Sequence, residues 1–179
     1  MTGTALLRPA RPADAPALAE LAAATFPLAC PPDMPAEDQQ AFIAGNLTAG
    51  HFRQHLATPG HLVLVAEDDD ALVGYTLTLV GEPLDAELAA VVDDPARTAY
   101  LSKCYLLPTA QGSGLAGRLM TATLDAAREA GATAVVLGVN GRNARAQAFY
   151  RRAGFAVAGE RRFVVGMRTE HDLVLSRAL

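Results

Sequence analysis

Apolar side chains recur at helical spacing in the first third of the chain. Ala13–Thr25 carries an apolar stripe on one face, which predicts an amphipathic helix. Glu37–Ala57 has the same spacing, and two glycines within it predict a split into two helices. Between these segments, the four prolines of Phe26–Pro35 predict an irregular loop. A short strand over Ala5–Arg8 is predicted to precede the first helix.

The pattern then changes to runs that favour β-strands. His61–Ala66 and Leu72–Val80 are rich in β-branched residues and predict a hairpin, followed by a polar connection over Gly81–Thr98. The rest predicts a strand Ala99–Leu107, a helix Leu115–Ala130, a strand Ala134–Val139, a helix Asn143–Ala153, and strands Phe155–Val165 and His171–Ser176. We therefore predict an α/β fold in one domain, residues 1–179, with a mixed, mostly antiparallel sheet of about seven strands and helices on both faces.

Composition narrows the function classes. The chain has 179 residues, a formal charge of −4 and no basic block, which disfavours nucleic-acid binding. Its two cysteines are too few for a disulfide scaffold. No apolar run approaches the roughly 20 residues of a membrane span, and Met1–Pro9 does not resemble a signal peptide. We expect a cytoplasmic protein with no membrane partner.

The segment Gln111–Gly117, called here the glycine segment, follows a predicted strand and opens a predicted helix. The first N–H groups of a helix have no intrahelical acceptor, and the helix dipole adds positive potential there. Small side chains let a phosphate approach the backbone. The segment therefore predicts a pyrophosphate site.

Several interpretations of the glycine segment compete. A Walker A loop is excluded because no Gly-Lys-Ser/Thr follows the glycines. Gly112, Gly114 and Gly117 satisfy the dinucleotide pattern of an oxidoreductase, but that fold needs an acidic residue after the next strand, which instead ends in Val139–Gly141. A coenzyme A site fits the spacing Q-x-x-G-x-A. Taken alone, the segment also fits a tight turn without a ligand.

Two stretches together resemble a known family. Tyr105–Pro108 running into Gln111–Ala116 is similar to the strand and Q/R-x-x-G-x-G/A loop of the GCN5-related N-acetyltransferase (GNAT) superfamily. Asn143–Tyr150, followed by Gly154-Phe155, resembles the N-x-x-A-x-x-F-Y helix of that family. The predicted strand order agrees, and the resemblance covers roughly residues 100–179.

The resemblance implies an acetyl-CoA-dependent N-acetyltransferase that acts directly on a small-molecule amine, as a monomer or a homodimer, without a metal. It implies two central strands that splay apart beside a bulge, with the pantetheine arm between them. Cofactor contacts are then expected from the backbone of Tyr105, Leu106 and Leu107, from Gln111, Gly112, Ser113, Gly114, Leu115, Ala116 and Gly117 of the glycine segment, and from Asn143. Tyr150 is expected to donate a proton to the leaving sulfur. The alternative is a non-catalytic acyl-CoA sensor on the same fold.

Within the family, the C-terminal half is most similar to spermidine/spermine N-acetyltransferases of the Pai type. The similarity is carried by Leu101–Tyr105, Leu137–Val139, Gly159, Phe163 and Asp172–Val174. Two positions depart from it: Asn140-Gly141 stands where that group usually has Trp-Glu, and Tyr100 stands where an acidic residue is common. A polyamine-like acceptor is therefore a hypothesis.

Other reactive side chains have simpler interpretations. Cys104 lies in a predicted strand with no histidine placed to activate it, so we predict a core residue. His51 and His55 share a helix face, but no third ligand is evident and no metal is expected. Arg118 is a candidate phosphate ligand. The general base stays open between Tyr100, Glu82, Glu87, His171 and a water chain.

Overall fold

The computed structural model describes residues 5–165 and 167–179. One sheet has the strands β1 (Leu6–Pro9), β2 (His61–Asp68), β3 (Ala71–Leu79), β4 (Thr98–Leu106), β5 (Ala134–Asn140), β6 (Ala156–Val165) and β7 (Arg168–Ala178). Their order is β1-β2-β3-β4-β5-β7-β6. All neighbours are antiparallel except β4 and β5, which are parallel. The predicted α/β fold with a seven-stranded mixed sheet is confirmed.

The helices are α1 (Ala15–Ala29), α2 (Ala36–Asn46), α3 (Ala49–Ala57), α4 (Ala86–Ala89), α5 (Leu115–Glu129) and α6 (Ala144–Arg152). The predicted division between α2 and α3 is confirmed, but it falls at Leu47-Thr48 and not at a glycine. Leu47 is buried, and the hydroxyl of Thr48 accepts a hydrogen bond from the His51 N–H at 3.3 Å, which caps α3.

Two predicted connections contain helix. The loop predicted from Phe26 is wrong in its first part, because α1 runs through Pro27 to Ala29. Phe26 is buried and stacks on Phe42 with ring centroids 4.5 Å apart, and this packing outweighs the hydrogen bond that proline removes. The polar connection after β3 holds the short helix α4, where Leu88 is buried.

Two core clusters lie on opposite faces of the sheet. On the first face, Leu18 of α1 and Phe52 of α3 belong to one cluster with Tyr75 and Leu77 of β3. On the second face, Met120 and Leu124 of α5 belong to one cluster with Leu137 of β5 and Leu175 of β7. Burying side chains of this size contributes about 1.5–3 kcal/mol each to the free energy of unfolding, so the packing on both faces stabilises the sheet. Within the described ranges, no helix is long and apolar enough to span a bilayer.

The centre of the sheet opens between β4 and β5. In the described residues these strands pair only where Thr98–Tyr100 meets Ala134–Val136. The β3–β4 register shifts at the same place, because Leu77 pairs with Lys103 while Thr78 pairs with Leu101. Ser102 is therefore the extra residue of a β-bulge. From this bulge onward, the two strands diverge into a gap that we call the splay.

Candidate active site

The β4 wall of the splay is defined by hydrogen-bond alternation. The Leu107 N–H donates to the Val73 carbonyl at 2.8 Å, so Leu107 is bonded to β3. Peptide groups of an antiparallel pair alternate in direction, so Tyr105 also faces β3, whereas Cys104 and Leu106 face the splay. Of the three residues predicted to bond the cofactor through their backbone, Leu106 has its peptide group directed into the splay. The peptide groups of Tyr105 and Leu107 are bonded to β3 instead. The other peptide group directed into the splay is that of Cys104.

The glycine segment forms the turn between β4 and α5. Gly112 and Gly114 have φ angles of 82° and 77°, a region that favours glycine, and Gly114 is the N-cap of α5. A Cβ added at Gly112, Gly114 or Gly117 would meet no described atom within 4 Å, so this side of the turn is open. Among described residues, the N–H groups of Ala116 and Gly117 have no acceptor. An anion would find both donors and space here.

Polar side chains stabilise the turn from within. The hydroxyl of Ser113 donates to the Ala110 carbonyl at 2.9 Å and accepts from the Leu115 N–H at 3.4 Å. The side-chain amide of Gln111 donates to the Leu106 carbonyl at 3.4 Å. Arg145 of α6 in turn donates to the amide oxygen of Gln111. These contacts tie the glycine segment to both β4 and α6.

Two arginines lie near the glycine segment. The guanidinium of Arg118 donates to the Ala5 carbonyl at 3.0 Å, and Arg118 also lines the open groove beside Gly112 and Gly114. Arg145 contributes a second positive charge through its contact with Gln111. Sequence reasoning missed Arg145 because it occupies a variable position of the helix motif.

An open groove of about 1260 Å³ leads from the glycine segment between α5 and α6. Apolar residues such as Met120, Leu124 and Phe149 line part of it, and Arg152 and Arg177 add positive charge. A groove with glycines at one end and arginines along its length suits an elongated anionic ligand.

Tyr150 stands on α6 at the splay. Its helix is capped by Asn143, whose side-chain oxygen accepts from the Ala146 N–H at 3.0 Å. The ring of Tyr150 packs edge-on against Phe155, with centroids 5.8 Å apart. Its hydroxyl lies near the thiol of Cys104, close enough for each group to shift the pKa of the other.

The protonation states of this pair follow from burial. Burial raises the pKa of Tyr150 well above 10, and the Cys104 thiol adds to the shift. Burial likewise raises the pKa of Cys104 to about 12, against an opposing effect of the Tyr150 hydroxyl. At neutral pH the site therefore holds a phenol O–H and a thiol. The predicted core position of Cys104 is correct in its packing, but its thiol also lies near Tyr150.

Two of the candidate bases, Tyr100 and Glu82, line the same pocket of about 170 Å³. Glu87 and His171 are exposed, and Glu82 is exposed beside His61, with Oε1 and Nε2 2.5 Å apart. Only Tyr100 lies at the start of the splay, and its hydroxyl accepts from Arg161 Nη2 at 3.1 Å. Asp172 of β7 is a buried carboxylate near Arg161. The sequence interpretation used Asp172 for the Pai-type similarity but did not include it among the candidate bases.

His51 and His55 make separate polar contacts. His51 Nδ1 is 2.7 Å from the Thr48 hydroxyl, and His55 Nδ1 is 2.9 Å from His61 Nδ1. Across residues 5–165 and 167–179, no cluster of three or more potential ligands could hold a metal ion.

Known proteins share this sequence pattern and this architecture. The profile of the Acetyltransferase (GNAT) family matches residues 15–155. An uncharacterized N-acetyltransferase of Mycobacterium bovis is 41% identical over 166 residues, which cover 93% of this chain and 98% of that protein. An uncharacterized N-acetyltransferase of Lactobacillus delbrueckii subsp. lactis is 26% identical over 179 residues, covering 100% and 99% of the two chains.

Solved N-acetyltransferase structures have a similar fold. The PaiA N-acetyltransferase of Thermoplasma acidophilum, solved in complex with coenzyme A, aligns with a TM-score of 0.79 and 16% identity, covering 99% of this chain and 100% of that one. This similarity concerns the fold.

Proposed function

We propose, from the premise that the chain belongs to the Acetyltransferase (GNAT) family, that it transfers the acetyl group of acetyl-CoA directly to the primary amine of a small molecule. It is an N-acetyltransferase, as its relatives are. The observation that carries the proposal is the splay, where a neutral phenol at Tyr150 and splay-facing peptide groups of β4 lie beside an open anion site.

The cofactor would bind at two neighbouring places, the glycine segment and the splay. The glycine segment would hold the pyrophosphate through the N–H groups of its helix end, and Arg145 adds positive charge beside it. The peptide groups of Leu106 and Cys104 would bond the pantetheine arm within the splay. The side-chain oxygen of Asn143 caps α6, and its backbone N–H and carbonyl bond to Asn140 and Gln147, so its cofactor contact would come from the amide nitrogen.

The chemistry follows from these positions. The amine nitrogen attacks the thioester carbon, a tetrahedral oxyanion forms, and the carbon–sulfur bond breaks. A peptide N–H facing the splay stabilises the oxyanion. The Tyr150 hydroxyl protonates the leaving thiolate. The high pKa of the Cys104 thiol argues against a covalent enzyme intermediate, since the thiolate is the nucleophilic form.

The acceptor belongs to the proposal as well. The acceptor side of the splay carries the carboxylates Asp172 and Glu170, which suits a cationic amine. A polyamine is one such amine, and PaiA shares the fold at low identity. We therefore include spermidine among the candidate acceptors.

The test is release of coenzyme A thiol from acetyl-CoA with a panel of primary amines: spermidine, putrescine, tyramine and glycinamide. We expect turnover with at least one amine, and Tyr150→Phe should lower kcat about 10²–10⁴-fold with little change in acetyl-CoA affinity. Saturable acetyl-CoA binding without turnover on any amine would indicate a sensor and contradict the proposal.

Tyr75→Phe is the matched control for Tyr150→Phe. It removes the same hydroxyl from a tyrosine in the core on β3, and among described residues that hydroxyl is buried without a hydrogen-bond partner. We expect kcat to be unchanged and stability to be unchanged or higher, because an unsatisfied buried polar group is removed. If both variants lost activity equally, the Tyr150 effect would not be that of a proton donor.

A further inference from the structure

A buried arginine crosses the sheet on the acceptor face of the splay. Arg161 of β6 extends past β7 and over Gly138 of β5, where an added Cβ would lie 2.6 Å from its Nη2. It reaches β4, where Nη2 donates to the Tyr100 hydroxyl at 3.1 Å. Its Nε is 3.7 Å from a carboxylate oxygen of Asp172. We call Arg161, Tyr100 and Asp172 the acceptor triad.

The triad lies where the two central strands separate. Asp172 is opposite Asn140, in the part of β5 that β4 no longer pairs with. Tyr100 is the last paired residue of β4, and Tyr105 follows beyond the bulge. Burial raises the pKa of Tyr105, and the nearby Asp172 is among the groups that add to this rise. The Asp172 carboxylate therefore lies near Tyr105, on the part of β4 that follows the bulge.

The carboxylate of Asp172 is poorly solvated. The residue is 6% exposed, and burial raises its pKa, while the charge of Arg161 lowers it and that of Glu170 raises it again. A buried carboxylate whose pKa is raised towards neutrality is a suitable proton acceptor. The guanidinium of Arg161 also contacts Tyr100 and, through Nη1 at 3.3 Å, Asp85. These contacts make it a residue that positions Asp172.

The surrounding charges are identifiable. Glu170 lies on the same face of β7 and accepts from Asn140 Nδ2 at 3.3 Å and from Arg142 Nη2 at 3.1 Å. Arg168 Nε is 3.6 Å from the Glu170 carboxylate. Tyr100 and Tyr105 face Asp172 from β4, and Arg161 from β6. His171 lies between the two acids in sequence, but it is exposed on the opposite face of the strand.

We propose that Asp172 accepts the proton that the acceptor ammonium must lose before attack, so that the acceptor is a small primary ammonium ion. This inference rests on the proposed function. An N–H bond of the ammonium breaks, an O–H bond forms on the Asp172 carboxylate, and the freed nitrogen lone pair attacks the thioester carbon. After Tyr150 has protonated the leaving thiolate, the surplus proton of the attacking nitrogen passes to the Tyr150 phenolate, which restores the phenol. Asp172 then releases the proton to solvent after the amide product leaves. A free amine has a pKa of about 10, so this step is required at neutral pH.

Kinetics provide the first test. Asp172→Asn should lower kcat/KM about 10²–10⁴-fold and remove the acidic limb of its pH profile, while acetyl-CoA affinity stays unchanged. Glu170→Gln should move that limb to lower pH, because it removes a charge that raises the pKa of Asp172. His171→Ala, an adjacent change on the exposed face, should leave the profile unchanged. An unaltered acidic limb in Asp172→Asn would overturn the inference.

Binding provides a second test that does not require turnover. The protein is saturated with S-acetonyl-coenzyme A, which cannot transfer an acetyl group, and titrated calorimetrically with each amine of the panel. We expect Asp172→Asn to weaken amine binding at least tenfold relative to wild type and to His171→Ala. Equal affinity in Asp172→Asn, or no amine bound by wild type, would overturn the inference. Amine binding that depends on Asp172 without any acetyl transfer would support the contact between Asp172 and the ammonium ion, but it would refute the proposed function and the proton transfer.

Discussion

Adding even a methyl group at Gly138 should lower the free energy of unfolding. A Cβ at this position would lie 2.6 Å from Nη2, 2.8 Å from Nε and 2.9 Å from Cζ of Arg161, which are shorter than real Cβ contacts. Gly138 is in a regular stretch of β5, and its φ is not among the positive ones. The backbone therefore accepts alanine, and the cost of Gly138→Ala comes from displacing the guanidinium.

The magnitude follows from what the guanidinium loses. Its hydrogen bond to the Tyr100 hydroxyl has a charged donor, and such bonds contribute about 1.5–3 kcal/mol. The nearby Asp172 carboxylate would also lose its closest positive charge. Replacing glycine by alanine restricts the unfolded chain and returns about 0.4–1 kcal/mol. We expect a net loss of about 2 kcal/mol, which for a chain of this length lowers Tm by about 4–8 °C.

The assay is thermal and urea unfolding of four proteins in a double-mutant cycle. Gly138→Ala should cost about 2 kcal/mol in the wild-type background. In Arg161→Ala, where the clashing group is absent, it should instead raise stability by about 0.4–1 kcal/mol. Gly45→Ala is the matched control: it lies in helix α2 with no described atom within 4 Å of its added Cβ, and it should raise stability by about 1 kcal/mol. Additive costs of the two substitutions, or wild-type stability in Gly138→Ala, would refute the proposed contact.

Two further predictions concern cofactor binding and acid stability. Gly114→Asp should abolish acetyl-CoA binding in calorimetry, because it places a carboxylate at the anion site. The control Gly131→Asp has a similarly positive φ of 95° but lies beyond the other end of α5, and it should retain binding. Loss of binding in both variants would mean that backbone strain alone is responsible. Burial lowers the pKa of His55 from 6.5 to about 4, with smaller effects of Lys103 and His61, so the unfolded chain binds more protons between these values and stability should fall as pH drops from about 6.5 to 4. His55→Gln should flatten that slope in urea unfolding, and an unchanged slope would contradict the assignment.

Local patterns were sufficient for the elements and for one side of the site. The strand, the glycine segment and the Asn143–Tyr150 helix are contiguous in sequence, so periodicity and motif spacing predicted their positions. The helix extension through Pro27 was not predictable in this way, because it depends on the stacking of Phe26 on Phe42 from another helix. Tertiary packing there overrides a local preference.

The other side of the site depends on strand register. Arg161 and Asp172 meet because β6 and β7 pair with these residues opposite each other, and both reach the splay because β7 pairs with β5. No local pattern indicates that Gly138 must lack a side chain so that Arg161 can cross. The sequence interpretation accordingly considered the exposed His171 as a base and did not include its buried neighbour Asp172 among the candidates.

The bulge at Ser102 determines which residues of β4 lie on each face of the sheet. Regular alternation would place Tyr100 and Tyr105, five positions apart, on different faces. The extra residue resets the alternation, so Leu101 and Cys104 pack in the α5 cluster while Tyr105 packs in the α1 cluster. Cys104 then lies near the proposed acid Tyr150 on one face. On the other face, Tyr105 lies near the proposed base Asp172, and Tyr100 bonds to Arg161, which contacts Asp172. An acid and a base separated by the strand itself cannot exchange a proton directly. Each transfer must therefore pass through the reacting groups in the splay.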